Sequence, residues 1–176
     1  NFDRKASIIC NKGTDREYFN KSLKKYYSWK GLGSSYIPSE ITCSILYSQL
    51  INYKKIMKER KKIWIKYYSS FKNIKSELLE NKTLSAKNID TNYHMFFLIC
   101  KNLYARTKIL TELRKIGIIS AFHYIPLHKS KFGSKYSKKK LIVTEEMSKK
   151  IIRLPLWIGV DQNFILKKIK IILNNK

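Results

Sequence analysis

A small α+β layer packed against one very long helix is the fold the sequence predicts, and three observations predict it. Apolar residues recur in steps of mostly three and four over residues 41–71, the period of one amphipathic helix face. Two runs of aromatic and β-branched residues, at 93–100 and 118–125, have the length and texture of buried strands. Helical patterns separate and follow those runs, so the order reads helix, strand, helix, strand, helix, helix, with no internal repeat. The 176 residues, 44% of them hydrophobic, are enough for one packed core.

Residues 1–39 are polar, broken by Gly13, Gly31 and Gly33, and read as a short helix followed by a loop or hairpin. Pro38, Ser39 and Glu40 place a capping hydroxyl and an acid at a helix start. The helix they open, spanning 40–72, shows Ile41, Ile45, Leu46, Leu50, Tyr53, Met57, Trp64, Tyr67, Tyr68 and Phe71 on one side and lysines on the other. Residues 73–92 lack a period and form a connection into the layer at 73–176. The helix between the strands, about 105–116, ends at Gly117, where a left-handed C-terminal cap belongs. A lysine-rich loop covers 129–140. Thr144, Glu145 and Glu146 open a helix that ends before Pro155, and a last helix from near Asp161 is expected to bury Phe164, Ile165, Ile169 and Ile172.

The formal net charge of +25 points, taken alone, to a polyanionic partner. Only six of the 37 basic residues are arginine, so the forked donors that read base edges and grip phosphate are scarce. The chain holds 31 Lys, 25 Ile and 12 Asn against four Ala, a bias toward residues with AT-rich codons that loads solvated faces with lysine. A basic nucleic-acid-binding module is therefore the alternative reading, and no specific nucleic acid is expected. Cys10, Cys43 and Cys100 are widely spaced and read as buried or incidental thiols of a reducing compartment. With no run of about 18 apolar residues and no signal-peptide core, a soluble cytoplasmic protein without a membrane partner is expected.

His123 and His128 flank Tyr124 in a stretch that Pro126 terminates, gathering polar tips at a strand end, where sites are common. Histidines satisfied by backbone carbonyls fit the same spacing, and no cysteine or carboxylate stands at zinc-ligand spacing. Gly33, Ser34, Ser35 and Tyr36, just before the Ser39 helix start, offer hydroxyls and free amides suited either to a phosphate or to a plain turn.

Lys12-Gly13-Thr14, Arg16, Tyr27-x-Trp29, Gly33-Ser34-Ser35-Tyr36-Ile37-Pro38-Ser39, Tyr93-His94-Met95-Phe96, Phe122-His123-Tyr124-Ile125-Pro126-Leu127-His128 and Arg153-Leu154-Pro155-Leu156 occur in this order. Together they resemble the DegT/DnrJ/EryC1/StrS aminotransferases over nearly the whole chain. The subgroup they are most similar to aminates the C4 carbonyl of a dTDP-4-keto-6-deoxyhexose for enterobacterial common antigen-like polysaccharide.

The resemblance implies an α/β fold-type-I transferase that uses pyridoxal 5'-phosphate, takes its amino group from glutamate and works as a homodimer. In that frame residues 1–39 are the tail of the large domain near the dimer interface, 40–72 the connecting helix and 73–176 the small domain. The family's Schiff-base lysine lies in a Ser-Phe-His-x-Thr-Lys-Asn-like stretch upstream of Lys12, so no catalytic residue is assigned and the chain alone is expected to be an inactive fragment. An inactive remnant of a decayed gene is a further alternative. Ser34 and Ser35 fall on the cofactor-phosphate segment. Family members often have Gly-x-Asn-x-Arg there, and Ser35 and Ile37 stand at the Asn and Arg positions, which leaves a hydroxyl donor and removes a charge. The resemblance makes His123, Tyr124 and His128 a wall toward sugar or glutamate, and Lys12 and Arg16 loop cations that meet phosphate.

Overall fold

Ser39 caps a helix as expected: its Oγ accepts from the Thr42 amide at 3.3 Å. The computed structural model describes residues 2–23, 25–80, 91–137 and 139–174, so residues 81–90 of the expected connection lie outside the described residues. The chain divides into two compact units, Asn1–Tyr53 and Lys54–Lys176.

The first unit contains α1 (Phe2–Cys10), α2 (Arg16–Asn20) and α3 (Glu40–Ile51). Between them the chain is held by isolated antiparallel bridges, Asn11 with Ser35 and Thr14 with Trp29, rather than by a sheet. None of the three helices buries a residue.

The expected single long helix is two. After α3, Asn52 leaves helical geometry (φ −100°, ψ 7°) and α4 restarts at Tyr53–Phe71. Asparagine explains the break, because its Nδ2 donates to the Ser48 carbonyl at 2.8 Å and competes for an acceptor the helix ladder would use. The halves differ in burial too. Trp64, Tyr67 and Phe71 of α4 are buried, whereas Ile41, Ile45, Leu46 and Leu50 of α3 stand more than half exposed.

In the second unit α4 is followed by β1 (Phe96–Ile99), α5 (Leu103–Lys115), β2 (Ala121–Phe122), α6 (Ile142–Lys150), β3 (Ile151–Leu154) and α7 (Gln162–Asn174). The three strands form one antiparallel sheet in the order β1-β3-β2, with Phe97 opposite Arg153 and Arg153 opposite Ala121. Residues 151–154, expected at the end of a helix, are thus the central strand. Alternate burial of Ile152 and Leu154 fits that role, and period two over four residues is too short to separate from a helix face in the sequence.

The second expected strand shrinks to two residues. At one end Gly117 (φ 79°) closes α5, with the Ile118 amide donating to Leu113 O at 2.9 Å, and at the other Tyr124 (φ 51°) breaks extended geometry. Phe96 sits among Trp64, Tyr67 and Phe71, with ring centroids 5.2–6.2 Å away. Ile109, Leu113, Ile152 and Ile169 complete a core from α5, β3 and α7. Phe164, expected inside, is 41% exposed, and Leu166 is buried on its helix instead.

Candidate functional site

Lys12 and Gly13 follow α1 in left-handed backbone, φ 60° and 78°. That reversal lets the chain cross the 30–35 segment at van der Waals distance. The Lys12 amide donates to Ser34 O at 3.2 Å, the Ser34 amide to Ile9 O at 3.0 Å, and the Lys30 and Gly31 amides to Gly13 O at 2.7 and 3.2 Å. A Cβ at Gly13 would lie 2.0 Å from Gly31 O, and one at Gly33 would lie 2.2 Å from the Gly13 nitrogen. Only glycine fits either place. Below the crossing, Asp15 is 3% exposed; its Oδ1 accepts from the Ser28 amide at 2.8 Å and its Oδ2 lies 3.9 Å from Lys30 Nζ.

The crossing gathers three residues singled out by sequence. Lys12, Arg16 and Ser35 line one cavity of about 540 Å³, together with Tyr27, Trp29 and Glu40. The Arg16 guanidinium lies 5.8 Å from the Tyr27 ring centroid. Ser34 does not line this cavity; it contributes through the backbone bonds that set the crossing. Two cations, a hydroxyl and the Glu40 carboxylate thus line one cavity beside the glycine crossing.

The remaining candidates lie in the second unit. His123 and Tyr124 are exposed and adjacent, ring centroids 5.5 Å apart. Tyr124 also covers the Arg153 guanidinium, whose Cζ is 4.7 Å from its ring centroid. His128 is engaged with α6: its Nε2 is 3.1 Å from Glu145 Oε1, and its side chain is 9% exposed. Lys129 Nζ meets the other oxygen at 3.2 Å, and the Leu141 amide donates to Oε1 at 3.3 Å. The hydrogen bond with His128 is the main cause that holds the Glu145 carboxyl below its ordinary pKa. That arrangement ties the turn at Leu127–Lys129 to the start of α6. Arg153 was missed as a candidate although its motif was noticed; alternation within β3 is the signal that would have found it, once the strand was seen. Among the described residues no group of three or more His, Cys, Asp or Glu could hold a metal, and no helix is long and apolar enough to cross a membrane.

Residues 1–170 match the model of the DegT/DnrJ/EryC1/StrS aminotransferase family. An uncharacterized protein of Methanocaldococcus jannaschii, MJ1066, is 26% identical over 159 residues, 87% of this chain and 41% of that protein. Among solved structures, the aminotransferase TlmJ from Streptoalloteichus hindustanus superposes with a TM-score of 0.77 at 18% identity, covering 96% of this chain and 44% of its own. PseC of Helicobacter pylori, an aminotransferase of pseudoaminic acid biosynthesis, gives 0.73 at 19% identity over 95% and 44%. The putative sugar aminotransferase Spr1654 from Streptococcus pneumoniae, in its PMP form, gives 0.71 at 22% identity over 94% and 43%. The chain therefore spans less than half the length of each of these proteins. The likenesses identify the α/β, fold-type-I architecture expected from the sequence, and the match over residues 1–170 establishes that the chain belongs to the DegT/DnrJ/EryC1/StrS aminotransferase family.

Proposed function

We propose that this chain forms the interface segment and small domain of a homodimeric, cytoplasmic sugar-nucleotide aminotransferase that uses pyridoxal 5'-phosphate. In this reading residues 1–39 are the tail of the large domain, 40–72 the connecting segment and 73–176 the small domain. The amino donor is glutamate, and the acceptor is the C4 carbonyl of a dTDP-4-keto-6-deoxyhexose destined for cell-surface polysaccharide of the enterobacterial common antigen type. The observation that carries the reading is the gathering of Lys12, Arg16 and Ser35 around one cavity beside a crossing that only glycine permits.

Those residues fit the phosphate end of the cofactor. Ser35 Oγ donates a hydrogen bond, Lys12 supplies a point charge, and Arg16, steadied against Tyr27, supplies a planar fork. When bound, the cofactor supplies the electron sink for moving the amino group. The share of this chain is to anchor phosphate, to orient what is anchored and to close the site from water. His123 and Tyr124 form an exposed polar wall that meets the substrate, while His128 acts at one remove by fixing the turn beside that wall to α6. No residue here is assigned the proton transfers, so the isolated 176-residue chain is expected to bind without turning over.

Pyridoxamine 5'-phosphate tests the reading, because it carries the phosphate without the aldehyde that surface lysines would capture. Titrated into the chain and followed by phosphorus NMR, it should bind saturably, and Arg16→Gln and Ser35→Ala should each weaken binding about tenfold. Pyridoxamine lacking the phosphate should not bind. Equal binding of the two compounds, or indifference to both substitutions, would sink the proposal.

A further inference from the structure

Residues 125–143 carry six lysines and no arginine, aspartate or glutamate. The same stretch leaves five large apolar side chains in water: Leu127, Phe132, Tyr136, Ile142 and Val143 are each more than half exposed. Codon bias supplies lysine along the whole chain. What sets this stretch apart is that the fold holds its lysines and its exposed apolar groups together.

The short helical turns at Leu127–Lys129 and Gly133–Lys135 approach so closely that a Cβ at Gly133 would lie 1.9 Å from Leu127 O. Ser130 joins them: its Oγ donates to Leu127 O at 2.7 Å and accepts from the Gly133 amide at 2.9 Å. The Phe132 and Tyr136 ring centroids stand 5.1 Å apart. Glu145, through His128 and Lys129, fastens the first of these turns to α6, whose own first turn carries Ile142 and Val143. The exposed apolar residues therefore belong to one preformed surface interleaved with lysine, and contiguous apolar surface rimmed by charge marks a place of contact.

We propose that this surface docks on an anionic phospholipid bilayer, its lysines on lipid phosphates and Leu127, Phe132, Ile142 and Val143 in the boundary between headgroups and acyl chains. Two attractions act in turn: the negative surface draws the lysines within a Debye length, and the apolar side chains leave water on contact. Turns already formed lose little conformational entropy on docking. Nucleic acid fits less well. Without arginine the stretch lacks forked donors for phosphate or base edges, and the aliphatic Leu127, Ile142 and Val143 offer no ring on which a base could stack. No helix among the described residues is long and apolar enough to cross a membrane, and binding at the surface needs none. Lipid binding here involves only the second unit and is independent of the function proposed above.

The test is co-sedimentation of the whole 176-residue chain, at physiological salt, with vesicles of phosphatidylcholine alone or mixed with phosphatidylglycerol. Saturable binding should need the anionic lipid. Because the whole chain is basic, general attraction has to be separated from this surface by substitution. Leu127→Ser with Phe132→Ser, which leaves the charge unchanged, should weaken binding at least about tenfold. Lys131→Ser with Lys135→Ser should weaken it more than Lys54→Ser with Lys58→Ser on α4, by about fivefold or more. Phe132→Trp should add fluorescence that brominated acyl chains quench, over and above the signal of Trp29, Trp64 and Trp157. That variant keeps an apolar ring and decides the matter even where a serine variant fails to fold. Undiminished binding after loss of Leu127 and Phe132, equal losses from the two lysine pairs, or an unquenched Phe132→Trp signal overturns the proposal. So does tighter binding to polyuridylate at the same salt that the Leu127 and Phe132 substitutions abolish, an outcome that assigns the surface to nucleic acid.

Discussion

Gly33 stands where a Cβ would meet the Gly13 nitrogen at 2.2 Å and Ile9 O at 2.6 Å, both backbone atoms that no side-chain rotation can move away. Gly33→Ala should therefore part the crossing, at a cost of about 1–3 kcal/mol or more, and release Ser35 and Lys12 from one another. Loss of pyridoxamine 5'-phosphate binding with the second unit's near-ultraviolet dichroism unchanged would confirm it; retained affinity would show that the crossing does not set the site. Glu145 makes a prediction of opposite character. Its carboxyl is held below the usual value of 4.5, first by the hydrogen bond with His128, so the stability it contributes is complete above the unfolded value and is lost as pH falls through the lower folded one. Glu145→Gln should be less stable than wild type near neutrality, and the gap in melting temperature should narrow as pH falls below 4.5 and close once the folded-state carboxyl is protonated. A gap that does not change with pH would show that the carboxylate charge is not what ties the turn to α6. The sequence made the serines, loop cations and histidines visible as polar groups near glycine or proline, yet it could not sort them. Lys12, Arg16 and Ser35 meet only because backbone bonds between Lys12 and Ser34 fold two distant stretches together, while His128 is claimed by a carboxylate seventeen positions away.

Elements were legible where local chemistry decided them and illegible where pairing did. Caps at Ser39 and Gly117 begin and end helices through local bonds, so the start of α3 and the close of α5 followed from sequence, whereas Asn102, whose side chain accepts from the Ala105 amide to open α5, did not. β3 did not, because its four residues are a strand only through β1 and β2 on either side of it. Nor did the break at Asn52, since asparagine at an apolar-periodic site is ordinary until its side chain takes the Ser48 carbonyl. The junction between α4 and the chain just after β3 rests on one buried bond, the Tyr67 hydroxyl donating to Pro155 O at 2.9 Å. Burial raises the pKa of that hydroxyl, so it stays a donor at any physiological pH. Tyr67→Phe keeps the ring against Phe71 and Phe96 but strands the carbonyl, and should cost roughly 1–3 kcal/mol in urea unfolding with an unchanged m value. A neutral substitution would mean that the carbonyl finds another donor.

At the scale of the molecule, apolar residues are spread along the whole chain, but burial is not. Every residue of the hydrophobic core cluster belongs to the second unit, from Trp64 to Leu173. In the first unit Leu23, Trp29, Leu32, Ile41, Ile45, Leu46 and Leu50 are exposed, and the buried polar pair Thr14 and Asp15 is held by hydrogen bonds rather than by apolar contact. The sequence pattern placed Ile41, Ile45, Leu46 and Leu50 on an apolar face, but period reports which side of a helix is apolar, not what covers it. Hydrophobic burial scales with area removed from water, so the two units should differ sharply in local stability. Amide hydrogen exchange on the isolated chain should protect Ile109, Leu113, Ile152 and Ile169 most, and the middle of α3 should exchange on the order of a thousandfold faster. Pairing of the chain with whatever surface covers Ile41, Ile45 and Leu50 would raise protection in α3 while leaving the second unit almost unchanged. Uniform protection of the isolated chain across both units would instead mean that α3 is already covered in solution, and that the division of stability drawn from burial is wrong.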